Sequence, residues 1–177
     1  MSVQENDTNL SIPQHCLEAE EYVGITVSVS CMPNCTGYAK LKRFYQYYLS
    51  LYKTSDLPRW SDVDLESLYD IASTMFVADL EETEDGRTYR YRYVGTKIVS
   101  HFGIEPTRKT VEEVYEGNRA EAILKAYDQI IESEKPQCAI RSQANLQRDY
   151  IKFAVLTAPL FNSFGKVEKL IGVKQFL

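Results

Sequence analysis

The stretch that most constrains this chain is YIKFAVLTAPL, residues 150–160. Ile151, Phe153 and Val155 fall on one face of an extended chain, and Ala154, Leu156 and Leu160 fall on the other. A strand with one wet face alternates apolar and polar residues; this one is apolar on both, so its sheet needs a covering layer on each side. Coverage comes from two places. Leu41, Phe44, Tyr45, Tyr48 and Tyr52 recur at helical spacing between residues 37 and 53, with Tyr47, Leu49 and Leu51 widening the apolar girth. A block of shorter helical segments lies later in the chain.

The other strands follow from period-two patterns and turn residues. Residues 74–82 and 87–94 flank ETEDG, whose Asp85-Gly86 suits a hairpin. Residues 137–146, 150–160 and 167–176 form a second run, with LQRD and NSFG as connections. Between the runs, a short helix over 96–102 ends at Gly103 in a left-handed cap position, and a helical turn follows at 111–115. A longer helix over 118–133 buries Ile123, Leu124, Tyr127, Ile130 and Ile131 before Pro136 stops it. Ahead of the first hairpin, Asp64 caps a helix over 65–72. Val23, Ile25, Val27 and Val29 alternate with small or polar residues, which predicts a further strand at 22–30. Hairpin-linked strands separated by a helical block indicate an α+β fold with an antiparallel sheet.

The 177 residues favour one domain with an extension, and the formal charge of −5 argues against a general nucleic-acid grip. Arg87, Arg90 and Arg92 read as one strand's exposed edge or face. The polar, acidic start carries no secretory signal pattern, and no run approaches the ~18 apolar residues of a membrane span. A cytoplasmic location without membrane association is expected. Cys31 and Cys35 are spaced C-x3-C. A zinc set drawn from His15, Cys16, Cys31 and Cys35 lacks the paired C-x2-C pattern, so no metal is expected.

From about Leu41 onward the chain resembles a PAS domain. The residues that carry the likeness are Pro58, Asp62, Arg90, Tyr91, Arg92, Gly95, Thr96, Gly103, Pro159 and Leu160, within LPRWSDVD, YRYRYVGTKIVSHFG and LTAPLFN. These resemble a subset of short bacterial PAS proteins. The resemblance implies a five-stranded antiparallel sheet with short helices on one face and an N-terminal helix on the other. It divides the chain into an extension at 1–36, a helical segment at 37–73 and a core at 74–177. It also implies a hollow between helices and sheet for a small organic ligand.

Tyr93, Phe102, Tyr115, Tyr127, Ile140 and Phe153 are its expected walls, and His101 and Arg141 its polar anchors. An arginine in mid-strand has the planar fork to hold a carboxylate. Tyr89, Tyr91 and Tyr93 are expected to share a face. Two cofactors of the family find no match. Helix 118–133 has no histidine for a haem, and the Asn-Cys-Arg-Phe-Leu-Gln run of flavin photosensors is absent.

The implied function is a sensory or signalling module that binds a small ligand or mediates protein association. It would act as a homodimer through Leu41, Phe44, Tyr45, Tyr48 and Tyr52, with a downstream signalling protein as partner. A ligand-free dimerisation scaffold and a small α+β enzyme using an Asp/His pair remain alternatives. No nucleophile elbow or phosphate-cradling glycine loop supports the enzyme.

Overall fold

The computed structural model describes residues 24–27, 38–52, 56–84, 86–144 and 150–177. Its order is β1 (Gly24–Val27), α1 (Ala39–Leu51), two single 3-10 turns (Trp60–Asp62 and Glu66–Leu68), α2 (Tyr69–Ala72), β2 (Met75–Thr83) and β3 (Gly86–Val94). Then follow α3 (Thr96–Phe102), α4 (Val111–Val114), α5 (Asn118–Ser133), β4 (Gln137–Ala144), β5 (Tyr150–Phe161) and β6 (Val167–Phe176). The strands form one antiparallel sheet in the order β1-β4-β5-β6-β2-β3. The five strands β2–β6 are the expected core. The sheet has six because β1 adds to the β4 edge, pairing Gly24 with Arg141 and Val27 with Cys138. Cys16, Cys31, Cys35, His15 and the LQRD connection lie outside the described residues.

Both sheet faces are covered, as the doubly apolar β5 requires. On one face Ala154, Leu156, Ala158 and Leu160 meet Leu41, Phe44, Tyr48 and Leu51 of α1, joined by Met75, Val77, Ile171 and Val173. On the other, Phe153, Val155 and Phe161 meet Ile98 and Phe102 of α3, Val111 of α4, and Tyr127 and Ile130 of α5. Alternation along each strand sends neighbours into different cores. A bulge shifts the β5–β6 register between Leu160, paired with Lys169, and Phe161, paired with Val167.

The helix expected over 65–72 is interrupted. Asp64 Oδ1 accepts from the Glu66 N–H at 2.9 Å, but the first turn is 3-10 and only Tyr69–Ala72 is α-helical. The helix at 118–133 has the expected ends, and Gly103 is left-handed at φ 70°. Gly95, by contrast, is extended at φ −66°. It is needed for close approach: a Cβ there would collide with the Ser73 carbonyl. The Gly95 N–H donates to Met75 O at 2.8 Å and the Lys97 N–H to Ser73 O at 2.9 Å, which ties the start of α3 to the start of β2.

The expected dimer residues are largely consumed inside the chain. Leu41 and Phe44 are fully buried, and Tyr48 is 1% exposed with its hydroxyl donating to Pro159 O at 2.8 Å. Tyr45 packs partly buried against the same core, and only Tyr52 is exposed. The main apolar face of α1 is therefore satisfied by its own sheet, whereas Leu49 and Tyr52 stay exposed. No helix among the described residues is long and apolar enough to cross a membrane.

Candidate functional site

A cavity of about 60 Å³ lies between the sheet and α5. Its aromatic and aliphatic wall includes Phe76, Tyr91, Tyr115, Ile123, Tyr127, Ile130, Phe153 and Val155, and its polar lining includes Gln137, Arg141, Gln143, Thr157 and Lys174. The ring arrangement has local causes. Gly172 sits under Phe76: a Cβ there would come within 2.6 Å of the ring and 2.8 Å of Leu156 O. Freed of a side chain below it, the Phe76 ring stacks on Tyr127 with centroids 6.3 Å apart. Tyr91 and Tyr127 bring their hydroxyls within 3.4 Å.

Of the residues expected to form the site, Tyr115, Tyr127, Arg141 and Phe153 line this cavity. Phe102 stands behind it, edge-on to Phe153 at 5.6 Å. Three others lie elsewhere. Ile140 alternates out of register with Arg141 and packs in the α1-side core. His101 is exposed on α3, its Nδ1 2.7 Å from Lys97 O and its ring stacked on Phe176 at 3.8 Å.

Tyr93 fails for an instructive reason. The ladder pairs Val77 with Tyr93 and Ala78 with Tyr91, so Arg92 is an extra residue on β3. That bulge turns Tyr93 to the α1 side, where its hydroxyl donates to Ala72 O at 3.0 Å. Tyr89 and Tyr91 stay on the cavity side.

Lys174 and Arg119 carry charge at the site and were not anticipated. Lys174 follows from β6 periodicity: Leu170, Gly172, Lys174 and Phe176 share a face, and a lysine among buried neighbours on that face was the available signal. Its ammonium is enclosed by rings, 4.6 Å from the Phe153 centroid, 4.8 Å from Phe102 and 5.8 Å from Phe76. Burial, followed by the nearby Arg119 and Arg141, lowers its pKa to about 7. Arg119 projects from α5 over the Tyr115 ring at 4.5 Å, and the Gln143 amide accepts from its guanidinium when the amide is assigned with its oxygen toward Arg119. Burial lowers the pKa of Arg119 and Arg141, although a guanidinium stays charged near neutral pH. Burial raises the phenols of Tyr91, Tyr115 and Tyr127, so they remain neutral.

Arg87, Arg90 and Arg92 behave differently. Arg90 forks onto Glu81 at 2.7 and 3.1 Å, Arg92 pairs with Asp79 at 2.9 Å, and Arg87 lies 3.8 Å from Asp128. They are the neutralised surface of an edge strand, as their sequence cluster suggested.

A five-stranded antiparallel core with a helical bracket over one face and a cavity beneath it defines an α+β domain built around a hollow. A family model described as a PAS domain matches residues 38–175, and the chain belongs to that family of sensory and signalling modules. Comparison with curated proteins finds no match. Among solved structures, the chain is similar to a light-oxygen-voltage domain studied with a flavin analogue: 10% identity, 64% of this chain, 83% of that one, TM-score 0.50. It is also similar to the PAS domain of a Colwellia psychrerythraea protein: 9% identity, 64% and 96% coverage, TM-score 0.48. A third is the N-terminal domain of a diguanylate cyclase with a PAS/PAC sensor from Marinobacter aquaeolei: 16% identity, 57% and 94% coverage, TM-score 0.43.

Proposed function

We propose that this PAS domain is a non-enzymatic, cytoplasmic bacterial sensor whose cavity holds a small organic ligand. A ligand there would shift the balance between two states of the bracket helices, a change passed to a downstream signalling protein. The observation that carries the reading is the mixed lining: rings and aliphatic side chains interrupted by Arg141 and Lys174, the make-up of a small-molecule site.

Size restricts the occupant. A cavity of about 60 Å³, lined by the Phe76, Tyr91, Tyr127 and Phe153 rings, is far below the roughly 300 Å³ at which drug-sized pockets begin and is too small for a flavin or haem. Cys138 packs in the α1-side core and also borders the cavity, without the Asn-Cys-Arg-Phe-Leu-Gln run of flavin photosensors around it. The residues present do not fit either cofactor. The enzyme alternative has little support, because His101 points to solvent with a backbone carbonyl as its polar neighbour.

Native mass spectrometry of freshly purified protein, followed by denaturing extraction, tests the sensor reading. A small added mass that Phe153→Ala weakens in folded protein is the expected result. No added mass, with no response to any small molecule, would favour the ligand-free scaffold. Self-association has a narrower basis than the sequence suggested. Leu49 and Tyr52 are the exposed large apolar residues of the α1 segment, at 46% and 41%. A homodimer through that segment would use them.

A further inference from the structure

We propose that the ligand is a small carboxylic acid, its carboxylate held by Arg141 and Lys174 with Arg119 adjoining, and its hydrocarbon body against the Phe153 and Ile130 wall. The inference rests on the sensor reading and adds the chemical class of the ligand.

Buried charges are ordinarily paired, and exposed ones need not be. On the surface, Arg43 pairs with Asp70 at 3.4 Å, Arg90 with Glu81 at 2.7 Å and Arg92 with Asp79 at 2.9 Å. Arg141 and Lys174 line the cavity, Arg119 adjoins it over the Tyr115 ring, and among the described residues no carboxylate pairs with any of the three. Arg119 and Arg141 are close enough to depress the Lys174 pKa, so the three charges repel one another. Aromatic faces satisfy the ammonium in part, but a ring is a weaker partner than an anion.

A partly buried cluster of like charge attracts an anion. The apolar lining chooses among anions. Inorganic phosphate has no hydrocarbon to lay against Ile123, Ile130, Phe153 and Val155, whereas a short carboxylic acid does. The cavity volume limits that acid to a few carbons.

Titration calorimetry and thermal shift on the full chain test this, with butyrate and succinate as probes, butyramide as the uncharged counterpart and phosphate as an anion without a hydrocarbon body. A carboxylate should bind and raise Tm, and butyramide should bind at least about tenfold more weakly. Arg141→Met and Lys174→Met keep much of the side-chain volume; each should weaken carboxylate binding at least about tenfold in protein that remains folded.

Affinity should also fall as pH rises through about 7, where Lys174 loses its proton. The groups facing it are Arg119, Arg141, Tyr91, Tyr115 and Tyr127, and the guanidiniums and raised phenols do not titrate there. Lys174→Met should therefore flatten the pH profile, which a purely structural lysine would not do. Butyramide binding as tightly as butyrate would overturn the charge proposal and leave the sensor reading standing. Phosphate equalling the carboxylates would overturn the carboxylate assignment. Silence from every probe, charged and neutral, with no co-purified mass would overturn both.

Discussion

An ammonium ringed by Phe76, Phe102 and Phe153 gives up much of its hydration when the chain folds, and the unfolded chain returns it. The folded pKa of Lys174, about 7, lies below the ordinary 10.5. Below pH 7 both states carry the proton, and the folded state bears the full cost of the charge. Between pH 7 and 10.5 the unfolded state binds more protons, so stability rises with pH. Lys174→Met should therefore stabilise the ligand-free protein by roughly 1–3 kcal/mol, the scale of relieving a poorly solvated charge. The gain should be largest at pH 6 and shrink by pH 10, as urea unfolding at the two pH values would show. A variant that is more stable and binds less well is the pattern expected of a functional residue kept at a cost to the fold. Gly172 works at the same scale. Gly172→Ala would press on the Phe76 ring and on Leu156 O, and should cost about 1–3 kcal/mol while disturbing the Phe76–Tyr127 stack.

Elements show how far local pattern can be read. The α1 periodicity identified a helix with one strong apolar face, and that face meets the sheet. What the helical wheel could not say is which apolar residues its own sheet would absorb. Two substitutions separate these roles. Tyr48→Glu would bury a carboxylate beside Pro159 O and should unfold the protein, so it cannot report on self-association. Leu49→Glu with Tyr52→Glu touches exposed positions and should leave the fold intact. Light scattering on that pair tests the homodimer; a wild type that is monomeric at high concentration ends it. In β3 the local reading stopped at Arg92. Strict alternation places Tyr89, Tyr91 and Tyr93 together, but a bulge is set by the partner strand and by the backbone that must turn into α3 at Gly95. No property of Tyr93 announces it.

At the scale of the whole molecule, β5 is the axis. Its two apolar faces require two cores, and removing a large ring from either should be costly. Phe153→Ala should destabilise by about 3–5 kcal/mol and, if the protein stays folded, change ligand binding as well; Phe44→Ala should destabilise on the same scale and leave binding alone. Equal effects of the two on binding would mean that the cavity is not the binding site. Both losses are readable from chemical denaturation combined with calorimetry.

The sequence alone determined the α+β class, the order of the strands, the ends of the longer helix at 118–133, the glycine cap at Gly103 and the need for a layer on each side of β5. These depend on periodicity and on residue-specific backbone preferences, which are local. The resemblance to the PAS family, carried by the sequence, also pointed to Tyr115, Tyr127, Arg141 and Phe153 as residues of the hollow. The tertiary structure alone decided the rest. Pairing across strands added β1 to the sheet, shifted Tyr93 through a bulge and sent Ile140 to the opposite core. It also assembled Arg119 from α5, Arg141 from β4 and Lys174 from β6 around one cavity. Charges brought together from three separate elements interact through space, and no spacing along the chain encodes that distance.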